Sequence, residues 1–219
     1  YDPFFGKKVK KTSEIHHGIK IHRLSCNQLY SSICFILVKI FGKFIPKPLF
    51  NILVIEAAGP SLIGLETLVK TERYDVINCS PSPLAINMQT VRMIKALKQK
   101  PKFIITPFFH SEIGDFANPE LKKIFDTATI VHTITRTEKK VLQSRFGVDA
   151  KKIRVVSLFL DTDGMHSGEQ LQKDIAIFKK KHNLEKKKIV LFAGIKGYAK
   201  GATNLLVAME RLYKKNPAY

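Results

Sequence analysis

Residues 190–201 read Val-Leu-Phe-Ala-Gly-Ile-Lys-Gly-Tyr-Ala-Lys-Gly. A hydrophobic run enters a turn holding Gly194, Gly197 and Gly201, together with Lys196 and Lys200. A helical pattern follows directly. Glycines let a backbone come close to a ligand. The start of a helix offers unpaired N–H groups and a partial positive charge. Two ammonium groups add full charge, and the combination suits a diphosphate. The same residues also fit an ordinary strand-to-helix turn with solvated lysines, because the spacing is neither a P-loop nor GxGxxG.

His110 is the second candidate. It follows an apolar run closed by Pro107, in Thr-Pro-Phe-Phe-His-Ser-Glu. An imidazole there can donate a hydrogen bond or exchange a proton near neutral pH. The commoner role is a loop histidine packed on its neighbours, here Phe108 and Phe109. Glu112 reads first as a surface carboxylate. Ser80-Pro81-Ser82-Pro83 offers hydroxyls and N–H groups, or serves only as a rigid turn before a helix. Thr135 and Glu138 have the spacing of a capping box. Ser80, Ser82, Glu112 and Thr135 are the candidate lining of a cleft around His110. His16-His17 has no third ligand in view, and no metal is expected.

These residues need elements to hold them. Residues 19–24, 74–79, 102–106, 129–134, 153–156 and 189–192 are short, β-branched runs that predict strands. Residues 84–98, 118–128, 171–182 and 201–215 predict helices, as does a run from Thr135 to Phe146 that Gly147 ends. Strand and helix alternate, which implies an α/β fold with a parallel sheet and helices on both faces. Ligands of such sheets sit beyond the carboxyl ends of the strands. The polar stretch 161–169 has the composition of a linker.

Composition limits the partners. The formal net charge is +19, from 37 Lys+Arg against 18 Asp+Glu. Such an excess calls for an anionic partner or an explanation in solubility. Lysines are scattered and aromatics are not interleaved with them, so nucleic acid is not favoured. Residues 33–55 are apolar, but Lys39, Lys43, Lys47, Pro46 and Pro48 interrupt them, which excludes a spanning helix. Within this segment, residues 33–50 suit either an anionic membrane surface or a buried helix pair with lysines snorkelling outward. Cys26, Cys34 and Cys79 lack metal-type spacing and read as reduced thiols. The chain begins at Tyr1 and stops just after a helical pattern, so both ends read as cut.

Six segments, in order, resemble family 4 of the retaining GT-B glycosyltransferases. Residues 14–24 (EIHHGIKIHRL) resemble its E-x-x-x-G-I-x-V-x-R-L strand, and 74–79 (YDVINC) its Y-D-V-I-H strand. Residues 102–110 resemble its P-x-V-x-T-x-H segment, and 131–146 its V-x-A-x-S-x-x-E-x-x-x-L-x-x-x-F segment. Residues 147–161 resemble G-V-x-x-x-K-I-x-V-I-P-N-G-V-D, and 194–206 resemble G-R-x-x-x-x-K-G-x-x-x-L-L.

The resemblance implies two Rossmann-like domains. Residues 1–160 would be the acceptor-side domain without its first strand, 161–186 a linker and helix, and 187–219 the truncated start of the donor domain. It implies transfer of a sugar from a nucleoside-diphosphate-sugar to a hydroxyl with retention, without metal or other cofactor. Gly194, Lys196, Gly197, Lys200 and Gly201 would hold the donor diphosphate, and His110 would be catalytic. A lipid-linked or cell-envelope glycan is the expected acceptor, and the expected location is cytoplasmic, peripheral on the inner face of the membrane. The 219 residues are not expected to be active alone. Ile195 replaces the family arginine, Leu158-Phe159 its Asn-Gly, and Asn78 its histidine. Two other readings stand beside this one: a non-catalytic binding domain of the same fold, and a basic nucleic-acid-binding module.

Overall fold

The computed structural model of the protein describes residues 12–110, 114–160, 162–165 and 167–216. Two compact units divide between Phe159 and Leu160. No helix among the described residues is long and apolar enough to cross a membrane.

The first unit opens with a hairpin of β1 (Ser13–His16) and β2 (Ile19–His22). The strands pair antiparallel, with His16 opposite Ile19. His17 (φ 48) and Gly18 (φ 78) both take positive φ, as a tight two-residue hairpin turn demands. The strand expected at 19–24 therefore exists but lies outside the parallel sheet. Its partner is two residues away in sequence, and closing so short a loop costs little.

Two apolar helices follow, α1 (Gln28–Phe41) and α2 (Lys47–Ala57), packed on one another, then α3 (Leu65–Glu72). Asn27 caps α1 by accepting from the Tyr30 N–H at 3.2 Å. Pro48 stands in the first turn of α2, where no N–H is needed. The pair is half of what a buried pair would be: α2 sends Asn51, Ile55 and Glu56 into the interior, while α1 fully buries only Cys34.

Beyond it lie β3 (Val76–Cys79), α4 (Ala85–Ala96), β4 (Lys102–Ile105), α5 (Leu121–Thr127), β5 (Ile130–Thr133), α6 (Arg136–Phe146) and β6 (Ile153–Val155). The four strands form one parallel sheet in the order β3-β4-β5-β6, flanked by helices. The fold is α/β. Burial alternates along the strands. Phe103, Ile105, Val131 and Thr133 are buried, while Ile104, Ile130 and His132 between them are half-buried. One face is thus sealed by a core that includes Leu121, Ile124, Phe125 and Leu142. Each such side chain contributes about 1.5–3 kcal/mol by leaving water.

The second unit holds α7 (Gly168–Lys181), a 3-10 turn (Tyr198–Lys200) and α8 (Ala202–Lys215). Residues 189–192, expected as a strand, form none. A strand needs a neighbour's N–H and C=O groups, and this unit has no strand among its described residues.

Burial pushes the thiols of Cys34 and Cys79 above the ordinary cysteine value, whereas Cys26 is only half-buried. A thiolate is the reactive form. N-ethylmaleimide at neutral pH should therefore modify Cys26 alone in the native protein, with Cys34 and Cys79 following only after denaturation. Peptide mass spectrometry reads the outcome, and equal labelling of Cys79 would contradict the packing of β3 against α4.

Candidate functional site

The carboxyl ends of β3, β4 and β5 bring three loops together. Pro107 accepts from the Ser82 N–H at 3.1 Å, which ties the loop after β3 to the loop after β4. Glu138 ties the loop after β4 to the start of α6. Its Oε1 accepts from the Phe109 N–H at 2.9 Å and its Oε2 from the Ile134 N–H at 2.8 Å. The carboxylate is buried.

Thr135 caps α6 as expected, its Oγ1 accepting from the Glu138 N–H at 3.0 Å. The return half of the capping box is absent. The Glu138 side chain goes to Ile134 and Phe109 rather than to the Thr135 N–H. Those two N–H groups have no partner in the sheet at its edge, and both oxygens of the carboxylate are needed to satisfy them. The anion also sits in the first turn of α6, where the helix dipole favours it.

His110 rides on this tethered loop. Phe109 is the anchor: its ring lies edge-on to Phe116 (4.9 Å) and Phe146 (5.7 Å). The guanidinium of Arg145 sits 5.8 Å from the Phe109 centroid. Phe108 takes φ 49, a region that a bulky residue seldom enters. His110 itself is exposed. Its ring lies T-shaped against Phe116, with the centroids 5.7 Å apart.

A second chain of bonds stiffens the same edge. His132 Nε2 lies 2.9 Å from the Val156 carbonyl oxygen, and His132 Nδ1 lies 3.1 Å from Thr106 Oγ1. A carbonyl only accepts, so Nε2 carries the proton; in the neutral ring the Thr106 hydroxyl then donates to Nδ1. Sequence reasoning singled out neither His132 nor the tethering role of Glu138. The signal for Glu138 was a carboxylate in the first turn of a helix that begins at a strand's carboxyl end.

Ser80 is exposed, whereas Ser82 is buried with no partner for its Oγ among the described residues. Thr133 Oγ1, at the end of β5, is in the same condition. Thr135 is exposed, but its hydroxyl is already used as a cap. Glu112 lies outside the described residues.

In the second unit, Gly194 has φ 149 and Gly201 has φ 80. Gly201 is the N-cap of α8 and, having no side chain, leaves the first turn uncapped. A Cβ on Gly197 or Gly201 would meet nothing within 4 Å. Lys196, just before the 3-10 turn, and Lys200, its last residue, are exposed, and Ile195 is 78% exposed. The loop is open and cationic, but the N–H groups of Gly197, Lys200 and Gly201 are taken by the carbonyls of Ile195, Gly197 and Tyr198, so donors for an anion are left to the uncapped first turn of α8.

No family model matches the chain, and no curated protein matches it.

Glu138→Ala should leave the Phe109 and Ile134 N–H groups unpaired, at a cost of about 1–3 kcal/mol in unfolding free energy. Urea denaturation measures the total, and hydrogen exchange at those two amides locates it. Unchanged exchange at Phe109 would mean that Glu138 does not hold the loop.

Proposed function

We propose that the protein is a retaining glycosyltransferase of the GT-B type, taking its sugar from a nucleoside-diphosphate-sugar. The observation that carries the reading is the glycine turn of the second unit: a helix start without a side-chain cap, flanked by Lys196 and Lys200. The ordered resemblance of six segments to one family supports it. So does an exposed histidine on a loop fastened at the carboxyl edge of a parallel sheet, the edge where such sheets take ligands.

In this reading the diphosphate gathers negative charge as its bond to the sugar breaks. Lys196, Lys200 and the free N–H groups of α8 meet that charge, and preorganised groups of this kind are the main catalytic device. His110 serves the sugar as a hydrogen-bond donor. Lys196 stands in for the family arginine one position late and without its fork-shaped donor set. Exposed Ile195 in that arginine's place favours one alternative, a domain that binds a nucleotide-sugar without turning it over.

The test is titration of the protein with a panel of nucleoside diphosphates, followed on the amide signals of 194–204. One of them should bind saturably, and Lys200→Ala should weaken it about 10- to 100-fold, the loss of one charged hydrogen bond. Absence of any saturable binding removes the donor site. Binding without transfer to any hydroxyl acceptor in the complete protein would move the reading to the non-catalytic alternative.

A further inference from the structure

α1 is apolar except for one polar line, Gln28, Ser32 and Lys39, and a helix so largely apolar normally buries more than one face. Here it does not. Its inner face, at Cys34 and Val38, meets the rest of the unit. Its outer face presents Leu29, Ile33, Ile36 and Ile40, at steps of four, three and four residues. Leu29 is 72% exposed and Ile40 63%. Phe41 ends α1 half-exposed, and in the turn before α2 Phe44 is 84% exposed.

The charge around this stripe has one sign. Lys39, Lys43 and Lys47 are all exposed along it. No Asp or Glu occurs between Glu14 and Glu56. We infer that the α1–Phe44–α2 face docks on the surface of an anionic phospholipid bilayer. The apolar stripe enters the acyl boundary and the lysine stems carry their ammonium groups back to the lipid phosphates. At 14 residues α1 is about 21 Å long, too short to span and suited to lying in the plane. A second copy of the chain is the poorer occupant, since a two-fold contact would bring the same lysines face to face.

A cavity of about 770 Å³ opens beside the stripe, lined mainly by apolar groups that include Phe35, Ile36 and Pro60. Its wall reaches Leu84, two residues from Ser82 in the loop after β3. A lipid chain entering from the bilayer would thus arrive at the carboxyl edge of the sheet, which fits a lipid-linked acceptor. That last step alone rests on the glycosyltransferase reading; the docking does not.

The docking is tested without any sugar chemistry, by cosedimentation of the protein with vesicles. It should partition onto vesicles of phosphatidylglycerol mixed with phosphatidylcholine and not onto phosphatidylcholine alone. Reversal of Lys39, Lys43 and Lys47 to Glu should lower partitioning on the order of 100-fold. Ile40→Asp with Phe44→Asp should abolish it while leaving the circular dichroism and melting curve unchanged, because both side chains stand in solvent. Anionic vesicles should also slow maleimide labelling of Cys26, which lines the cavity. Failure of the unaltered protein to bind anionic vesicles overturns the inference. So does equal binding by both variants, or a dimer in solution that the Ile40→Asp, Phe44→Asp variant dissolves.

Discussion

Both oxygens of the Glu138 carboxylate are committed to backbone, one to the loop after β4 and one to the residue that enters α6. The position of His110 follows from this. Without the bond to the Phe109 N–H, nothing in the sheet ladder fixes residues 107–110, since β4 ends at Ile105. Phe109 completes the attachment by wedging its ring against Phe116 and Phe146. The unusual φ of Phe108 lies inside this clamp and is held by it. A loop pinned on both sides can present an exposed imidazole at low cost in disorder.

The same carboxylate closes the start of α6 to an outside anion. α6 begins at the edge of the sheet, but its first turn already holds a charged acceptor and a threonine cap. Its dipole is answered from within the protein. α8 begins at a glycine with positive φ and has neither. The two helix starts therefore differ in what they offer. The first organises a loop; the second leaves N–H groups and two lysines for a ligand. The proposed anion cradle rests on this difference between two helix starts of similar appearance more than on the glycine spacing itself.

Local chemistry was legible in the amino-acid sequence wherever a local rule sufficed. Gly147 terminates α6 with φ 64, Thr135 caps it, and the four parallel strands fall where β-branched runs occur. What could not be read was partnership. The run 189–192 has the pattern of a strand and lacks a strand to pair with. Residues 19–22 have the pattern and find a partner two residues away instead of across the fold. Glu138 carries the spacing of a capping box, yet its side chain answers a loop 29 residues earlier. Propensity belongs to a segment, while pairing belongs to whichever donors and acceptors the fold brings near it.

The exposed face of α1 shows the same limit from the other side. Its pattern leaves only a narrow polar line at Gln28, Ser32 and Lys39, so pattern alone leaves open a buried pair or a surface helix. The deciding facts are that only Cys34 is fully buried and that every charge from 15 to 55 is positive. An apolar face meant for a protein core has no use for a rim of unpaired cations, because burying them is expensive. A face meant for an anionic interface needs both at once: greasy residues to enter it, and lysines long enough to stay in the headgroup layer. The net charge of +19 is then more than a matter of solubility, since in this segment it is organised around the largest run of exposed aliphatic side chains on a single helix of the first unit.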